Sequence, residues 1–205
     1  MEQGPIICIV DDDEAIRESL RLLLYAEGLR SCAYASADDF LADRRKPEFG
    51  CMLLDIRMPG TDGLELFRIL TRKHLVFPVI FITGHGDIPL AVSAIKLGAF
   101  DFLTKPFREG EMIEKVRSAI KHHQSTRKHL LELQEIQARF DSCTPREQDV
   151  MRLLARGSAN KGIAETLGIS PRTVEIHRAH VMSKMAADSL PALVRMISLL
   201  EPEAI

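Results

Sequence analysis

Residues Cys51–Gly63, CMLLDIRMPGTDG, decide the fold. Cys51 to Leu54 is an unbroken apolar run of the kind that a strand buried on both faces requires, and Asp55 stands where that strand must end. Met58-Pro59-Gly60 breaks the chain. Thr61-Asp62-Gly63 then opens a helix whose apolar residues recur at Leu64, Phe67 and Leu70. A carboxylate at the C-terminal mouth of a central strand lies where parallel α/β sheets gather their chemistry. Taken alone, Asp55 is better read as a residue that ends a strand and caps a turn. Its company elsewhere in the chain overturns that reading.

Outward from this stretch the same strand-then-helix unit repeats. Ile6 to Val10 is apolar and runs into Asp11-Asp12-Asp13-Glu14, after which Ile16, Leu20, Leu23 and Leu24 recur at helical spacing until Gly28. A shorter strand, Leu29 to Tyr34, precedes a helix around Ala37 to Ala42. Beyond the central unit come a strand Val79 to Ile82 ending in Thr83-Gly84, a helix from about Ile88 to Leu97, a strand Phe100 to Leu103 ending at Lys105-Pro106, and a helix from near Arg108. Five such units predict an open, five-stranded, doubly wound parallel sheet with helices on both faces.

In that sheet all strand ends share one edge. Asp11 and Asp12, Asp55, Thr83 and Lys105 therefore converge: three carboxylates, a hydroxyl and an ammonium. Clustered carboxylates repel unless a cation sits among them, and an oxygen-only cluster open to water suits Mg²⁺. A lysine and a hydroxyl opposite can hold phosphoryl oxygens, so the chemistry this cluster suits is phosphoryl transfer to a carboxylate. Asp13 is one acid more than the site needs and reads as a helix N-cap.

The chain has 205 residues and a formal net charge of −2, enough length for two small domains and no global charge pointing to nucleic acid or membrane. A DNA-binding surface would have to be a local patch. Cys8, Cys32, Cys51 and Cys143 show no metal-ligand or disulfide-framework spacing and are expected to be buried and reduced. No secretory signal and no apolar run near the ~20 residues of a membrane span are present, so a soluble, cytoplasmic protein is expected.

The acidic pair Asp11-Asp12, D-x-R-M-P-G-x-D-G (Asp55 to Gly63), T-G-H-G-D (Thr83 to Asp87) and D-F-L-T-K-P-F (Asp101 to Phe107) resemble the flavodoxin-like receiver domain of two-component response regulators over roughly the first 120 residues. The resemblance implies that Asp55 is the phosphoacceptor. Asp12 and Asp55 would ligate Mg²⁺, with Asp11 acting mostly through water and the backbone carbonyl of Arg57 completing the protein ligands. Thr83 and Lys105 would bind phosphoryl oxygens, with a cis Lys105-Pro106 peptide. Phe102 would swing inward as Thr83 moves, remodelling the face of the fourth helix and fifth strand. As a residue on its own, Phe102 reads equally well as an ordinary packed strand aromatic. The Arg57 side chain would tune the lifetime of the phosphate.

From Glu111 to Phe140 there is neither proline nor glycine. Ile113, Val116 and Ile120 form an apolar stripe that fades through His122 to His129 and returns at Leu130, Leu133 and Ile136. A long helical linker is expected, with a break near Gln124 to Thr126 as the alternative. The histidines read as a solvated face, without ligand-spaced partners for a metal.

Thr144-Pro145-Arg146-Glu147 is a capping box with proline at the first helical position. The helix it starts buries Val150, Leu153 and Leu154 and stops at Gly157. Asn160 is expected to cap Lys161 to Leu167, Ser170-Pro171 to start Arg172 to about Met185, and Asp188 to cap a fourth helix bearing Leu193, Val194, Ile197 and Leu200. The second and third of these form a helix-turn-helix.

T-P-R-E, N-K-x-I-A and S-P-R-T-V-E-x-H-R resemble the LuxR-type output domain, and their order after a receiver is similar to the FixJ-like branch of response regulators. The domains so implied are a receiver over 1–121, a helical linker over 122–143 and a LuxR-type four-helix DNA-binding domain over 144–205. Glu175, Ile176 and Ala179 are expected nearest the base edges; Lys161, Arg172, Thr173, Arg178 and Lys184 are candidates for phosphate contact. A solvated helix surface is the alternative for each basic residue, and His177 reads as a packed core histidine. Glu175, where many relatives carry lysine, can accept from cytosine. Cys143 and Gly162 also depart from the family pattern, where leucine and a longer residue are usual.

The reading that unites these motifs is a transcription regulator, not an enzyme. A sensor histidine kinase supplies the phosphoryl group, the receiver forms a homodimer, and paired output domains bind double-stranded DNA and act on RNA polymerase. A phosphatase-like hydrolase is the rival from another class, but it needs a second acid/base carboxylate after the nucleophile, where this chain has Ile56-Arg57. A helical tail that binds protein in place of DNA is the other, and salt-dependent duplex binding separates it.

Overall fold

The central apolar run folds as β3 (Phe49–Asp55), buried at every residue, in a computed structural model that describes residues 4–44, 47–73, 77–84 and 87–201. The chain divides into two compact units, Met1–Thr126 and Arg127–Ile205.

In the first unit β1 (Ile6–Val10), α1 (Glu14–Ala26), β2 (Arg30–Tyr34), α2 (Ala37–Ala42), β3, α3 (Gly63–Arg72), β4 (Val79–Thr83), α4 (Ile88–Lys96) and β5 (Asp101–Thr104) precede the long α5 (Glu109–Asp141). The strands form one parallel sheet in the order β2-β1-β3-β4-β5. Strand alternation sends Cys8, Val10, Met52, Leu54 and Phe81 to one face, where α2, α3 and α4 cover them with Phe40, Leu66, Phe67, Leu70 and Ala94. Ile7, Ile9, Leu53, Ile80 and Ile82 go to the other, under Leu20 and Leu24 of α1 and Met112, Val116 and Ile120 of α5. Continuous apolar strands are what burial on both faces demands. Asp13 caps α1, accepting from the Ala15 and Ile16 N–H groups at 2.9 and 3.4 Å.

Helix α5 is unbroken over its 33 residues, with no interruption near Gln124 to Thr126. Its stripe differs in one place from the sequence reading: Leu130 is exposed, while Ile136 and Phe140 are buried.

The second unit packs α6 (Pro145–Ala155), α7 (Asn160–Leu167), α8 (Pro171–Lys184) and α9 (Leu190–Leu200) around Val150, Met151, Ile163, Val174, Val181, Leu193 and Ile197. The capping box is present as written in the sequence, with Glu147 N–H donating to Thr144 Oγ1 at 3.3 Å and Thr144 N–H to Glu147 Oε2 at 2.8 Å. Two caps lie one residue from where they were expected. Ala159, not Asn160, is the residue that precedes α7: Asn160 already belongs to the first turn, where its side chain does not cap the helix, and its amide oxygen accepts from Arg178 Nη1 at 3.4 Å. Ser189, not Asp188, caps α9; its hydroxyl accepts from Ala192 N–H at 3.3 Å while donating to Asp188. Gly168, at φ +64°, makes the left-handed turn between α7 and α8.

Candidate functional site

β1 and β3 are neighbours, but the chain leaves β1 toward one edge of the sheet and β3 toward the other. Connections that part this way open a crevice beyond the strand ends. Asp11 is the first residue off β1, and Asp55 is the last of β3. Both are buried, and Lys105 Nζ lies between them, 2.9 Å from Asp11 Oδ2 and 2.6 Å from Asp55 Oδ1.

Backbone groups hold the remaining oxygens. Asp11 Oδ1 accepts from Asp13 N–H at 2.9 Å and Asp55 Oδ2 from Arg57 N–H at 2.7 Å. Lys105 enters from the end of β5, its N–H donating to the Thr83 carbonyl at 2.7 Å and its peptide to Pro106 cis. Thr83 is buried at the end of β4, with its hydroxyl donating to the Gly84 carbonyl at 3.1 Å. These residues, with the exposed Asp12, line a cleft of about 320 Å³.

Burial raises the Asp55 carboxyl pKa; the Lys105 hydrogen bond and charge and the Arg57 N–H oppose the rise, and the Asp11 charge adds to it. Burial also works against the Lys105 charge, but its hydrogen bonds to Asp55 and Asp11 outweigh that, and its pKa is raised. The ammonium thus stays charged between two acids. The donor set, carboxylates of Asp11, Asp12 and Asp55 and the Arg57 carbonyl, is all oxygen and open to water on one side. That suits Mg²⁺, which keeps several waters and needs only one or two carboxylates. Among the described residues no three or more potential ligand side chains are already gathered round one point.

Gly63 sets how closely α3 approaches. A Cβ on it would stand 2.0 Å from the Asp55 carbonyl oxygen, so only glycine lets the helix begin against the end of β3. Phe102 is half-buried in β5, in register with Phe81, and packs on the face covered by α2, α3 and α4; it does not line the cleft.

One residue of the cleft was given no role in the sequence reading. Asp87, nearly buried, takes Arg57 Nε at 2.6 Å and Nη2 at 2.5 Å, so the Arg57 side chain spans the mouth. Its only signal was its place at the end of T-G-H-G-D, whose His85 and Gly86 lie outside the described residues.

In the second unit, α8 turns Val174 and Val181 inward and leaves Arg172, Glu175, Ile176 and Ala179 exposed. Arg172 pairs loosely with Glu175 at 3.1 Å, Thr173 Oγ1 sits 2.8 Å from Ser170 Oγ, and Lys161 is exposed on α7. Among the described residues, half-buried His177 leaves its Nδ1 without a partner, and Arg178 reaches Asn160. Lys184 is committed elsewhere: Nζ donates to buried Glu147 at 2.6 Å, and His180 Nδ1 stands 3.3 Å from the same carboxylate. The Lys184 hydrogen bond, opposed by burial and helped by Thr144, holds the Glu147 pKa down at about 2.

Residues 7–117 match the family described as the response regulator receiver domain, and residues 141–197 the bacterial regulatory proteins of the luxR family. The chain is 45% identical over 190 residues to the transcriptional regulatory protein FixJ of Bradyrhizobium diazoefficiens, covering 93% of each. It is 43% identical to the response regulator protein TmoT of Ectopseudomonas mendocina over 95% of this chain and 88% of that one. Among solved structures, the response regulator StyR superposes with a TM-score of 0.85 at 40% identity, covering 96% of this chain and 99% of that one. Full-length FixJ from B. japonicum gives 0.62 at 44% identity, covering 95% and 96%. With both domains matched in this order over nearly the whole length of such relatives, the chain belongs to the FixJ-like two-component response regulators, transcription regulators that join a receiver to a LuxR-type DNA-binding domain.

Proposed function

We propose that Asp55 accepts a phosphoryl group from a sensor histidine kinase, and that the modified receiver dimerises and brings two output domains onto DNA. The observation that carries this is Lys105 Nζ, 2.9 Å from Asp11 and 2.6 Å from Asp55, in an open cleft at the strand ends. Asp11, Asp12, Asp55 and the Arg57 carbonyl would hold Mg²⁺, which when bound neutralises charge on the incoming phosphoryl oxygens. An Asp55 carboxylate oxygen attacks phosphorus, and the donor histidine leaves with the bonding pair. Lys105, already charged, passes from the carboxylate to a phosphoryl oxygen. The Thr83 hydroxyl, which donates to the adjacent Gly84 carbonyl, turns to donate to another, and Phe102 moves into the space it leaves.

The receiver is assigned to 1–121, the linker to 122–143 and the output domain to 144–205. In the output domain Glu175, Ile176 and Ala179 face base edges, while Lys161, Arg172, Thr173 and Arg178 meet phosphates. Lys184 also lies on this helix, although it must share its charge with Glu147. Dimerisation makes the contact bivalent, so weak individual half-site binding becomes tight. The protein acts in the cytoplasm, where kinase, DNA and RNA polymerase meet; no helix among the described residues is long and apolar enough to cross a membrane. Its relatives are regulators, and the chemistry assigned to Asp55 is self-modification, not turnover.

The test is Asp55→Asn in the full chain, with a small-molecule phosphodonor and Mg²⁺. The wild type should gain one phosphoryl group and bind operator DNA more tightly, while the variant keeps its fold and does neither. A variant that still responds to the donor would overturn the assignment.

A further inference from the structure

We propose that Cys8 and Cys32 are a redox pair, two facing thiols that a peroxide converts into a cross-strand disulfide beneath the acidic loop. Cys8 of β1 and Cys32 of β2 are register partners in adjacent parallel strands. Such partners stand about 4.8 Å apart, within the roughly 4.4–6.8 Å that disulfides span between Cα atoms. Both side chains belong to the same face of the sheet: Cys8 is part of the core under α2, α3 and α4, and Cys32 packs against that core. The sheet excludes the other nearby thiol. Cys51 is in register with Ile7 and lies with it on the opposite face, under α1 and α5. Cys143 belongs to the core of the second unit.

The two thiols also differ in access and reactivity. β2 is the edge strand and Cys32 is half-buried, while Cys8 has no exposed surface. A hydrogen bond with Cys8 leads the influences that lower the Cys32 pKa; burial opposes it, Tyr34 helps and the Asp43 charge opposes. Burial pushes Cys51 up to about 12 and raises Cys143. Thiolate character and access therefore coincide at Cys32, the combination that selects a redox-active cysteine.

The Cys32 thiolate attacks one oxygen of hydrogen peroxide, the O–O bond breaks, and the departing hydroxide takes a proton to become water, leaving a sulfenic acid. Cys8 gives up its proton and attacks the Cys32 sulfur. The S–O bond breaks, and the hydroxide leaves with that proton as a second water. Two thiols and one peroxide thus become one disulfide and two waters, with two electrons passing from sulfur to oxygen. Asp11, three positions after Cys8, follows directly on the cross-linked strand.

The experiment treats the full-length protein with hydrogen peroxide, quenches it, counts thiols under denaturing conditions and maps the non-reduced digest. The expected result is a fall from four free thiols to two, a Cys8–Cys32 linked peptide, and recovery of both thiols with dithiothreitol. In Cys8→Ser, a sulfenic-acid trap such as dimedone should label Cys32. Retention of all four thiols, oxidation of Cys32 to the sulfinic acid with Cys8 still free, or a linkage to Cys51 or Cys143 would each overturn the proposal. Peptide mapping of the wild type decides the question even if the serine variant does not fold.

Discussion

Replacing Gly63 with alanine sets two opposing effects against each other, and the structure decides which wins. At the first residue of α3 alanine is the better helix former, by at most about 1 kcal/mol. Its Cβ, however, would lie 2.0 Å from the Asp55 carbonyl oxygen and 3.1 Å from Ile56 Cα, both backbone atoms that no rotamer change can move. Restoring an ordinary contact means separating helix and strand end by roughly 1.5 Å. That stretches the Gly63 N–H to Ile56 carbonyl bond, now 3.0 Å, past bonding range, a loss of about 1 kcal/mol. Overpacking adds about 1–3 kcal/mol. The net expectation is a destabilisation of about 1–4 kcal/mol, a sizeable part of the ~5–15 kcal/mol that holds a domain together. The chain has no tryptophan, and both tyrosines, Tyr25 and Tyr34, lie in the receiver, so tyrosine fluorescence in urea reads that unit alone. The midpoint should fall by about 1–2 M at unchanged slope. A midpoint that stays or rises would refute the claim that backbone proximity, and not helix propensity, governs this position.

Other substitutions test the second unit. Gly162→Ala should stabilise it by about 0.5–1 kcal/mol in thermal unfolding followed by circular dichroism, because among the described residues a Cβ there meets nothing within 4 Å; a loss of stability would mean the glycine serves another contact. Glu147 ties its pKa of about 2 to stability with a definite sign: the contribution is complete above the ordinary carboxylate value of 4.5 and is lost as pH falls toward 2. Glu147→Gln should therefore cost on the order of 2 kcal/mol at neutral pH and almost nothing near pH 2, after allowance for solvent around Lys184. An equal loss at both pH values would assign the effect to packing instead. Arg172→Ala should lower the slope of log affinity against log salt by about one, whereas Lys184→Ala should mainly destabilise the unit, since Arg172 is exposed and paired with the likewise solvated Glu175, while Lys184 is held by buried Glu147. Equal effects of the two on salt dependence would contradict that distinction.

Much of this protein was legible without coordinates, because its signals are local. An apolar run such as Cys51–Leu54 can be satisfied only by a strand covered on both sides, and Pro145 after Thr144 can start a helix in one direction only. Parallel strands end on one edge, so Asp11, Thr83 and Lys105 could be brought to Asp55 from topology alone. Caps are a closer contest: whether the Asn160 side chain binds its own helix or Arg178 is a choice between two nearby donors, and the sequence carries both. Leu130 shows the same limit, for helical spacing gives a stripe but not what covers it. Tertiary structure alone decided the pairings between distant residues. Arg57 with Asp87, 30 positions away, and Lys184 with Glu147, 37 away, depend on how separate elements pack. The facing of Cys8 and Cys32 depends on strand register, in which a slip of one residue would turn one thiol to the opposite face of the sheet.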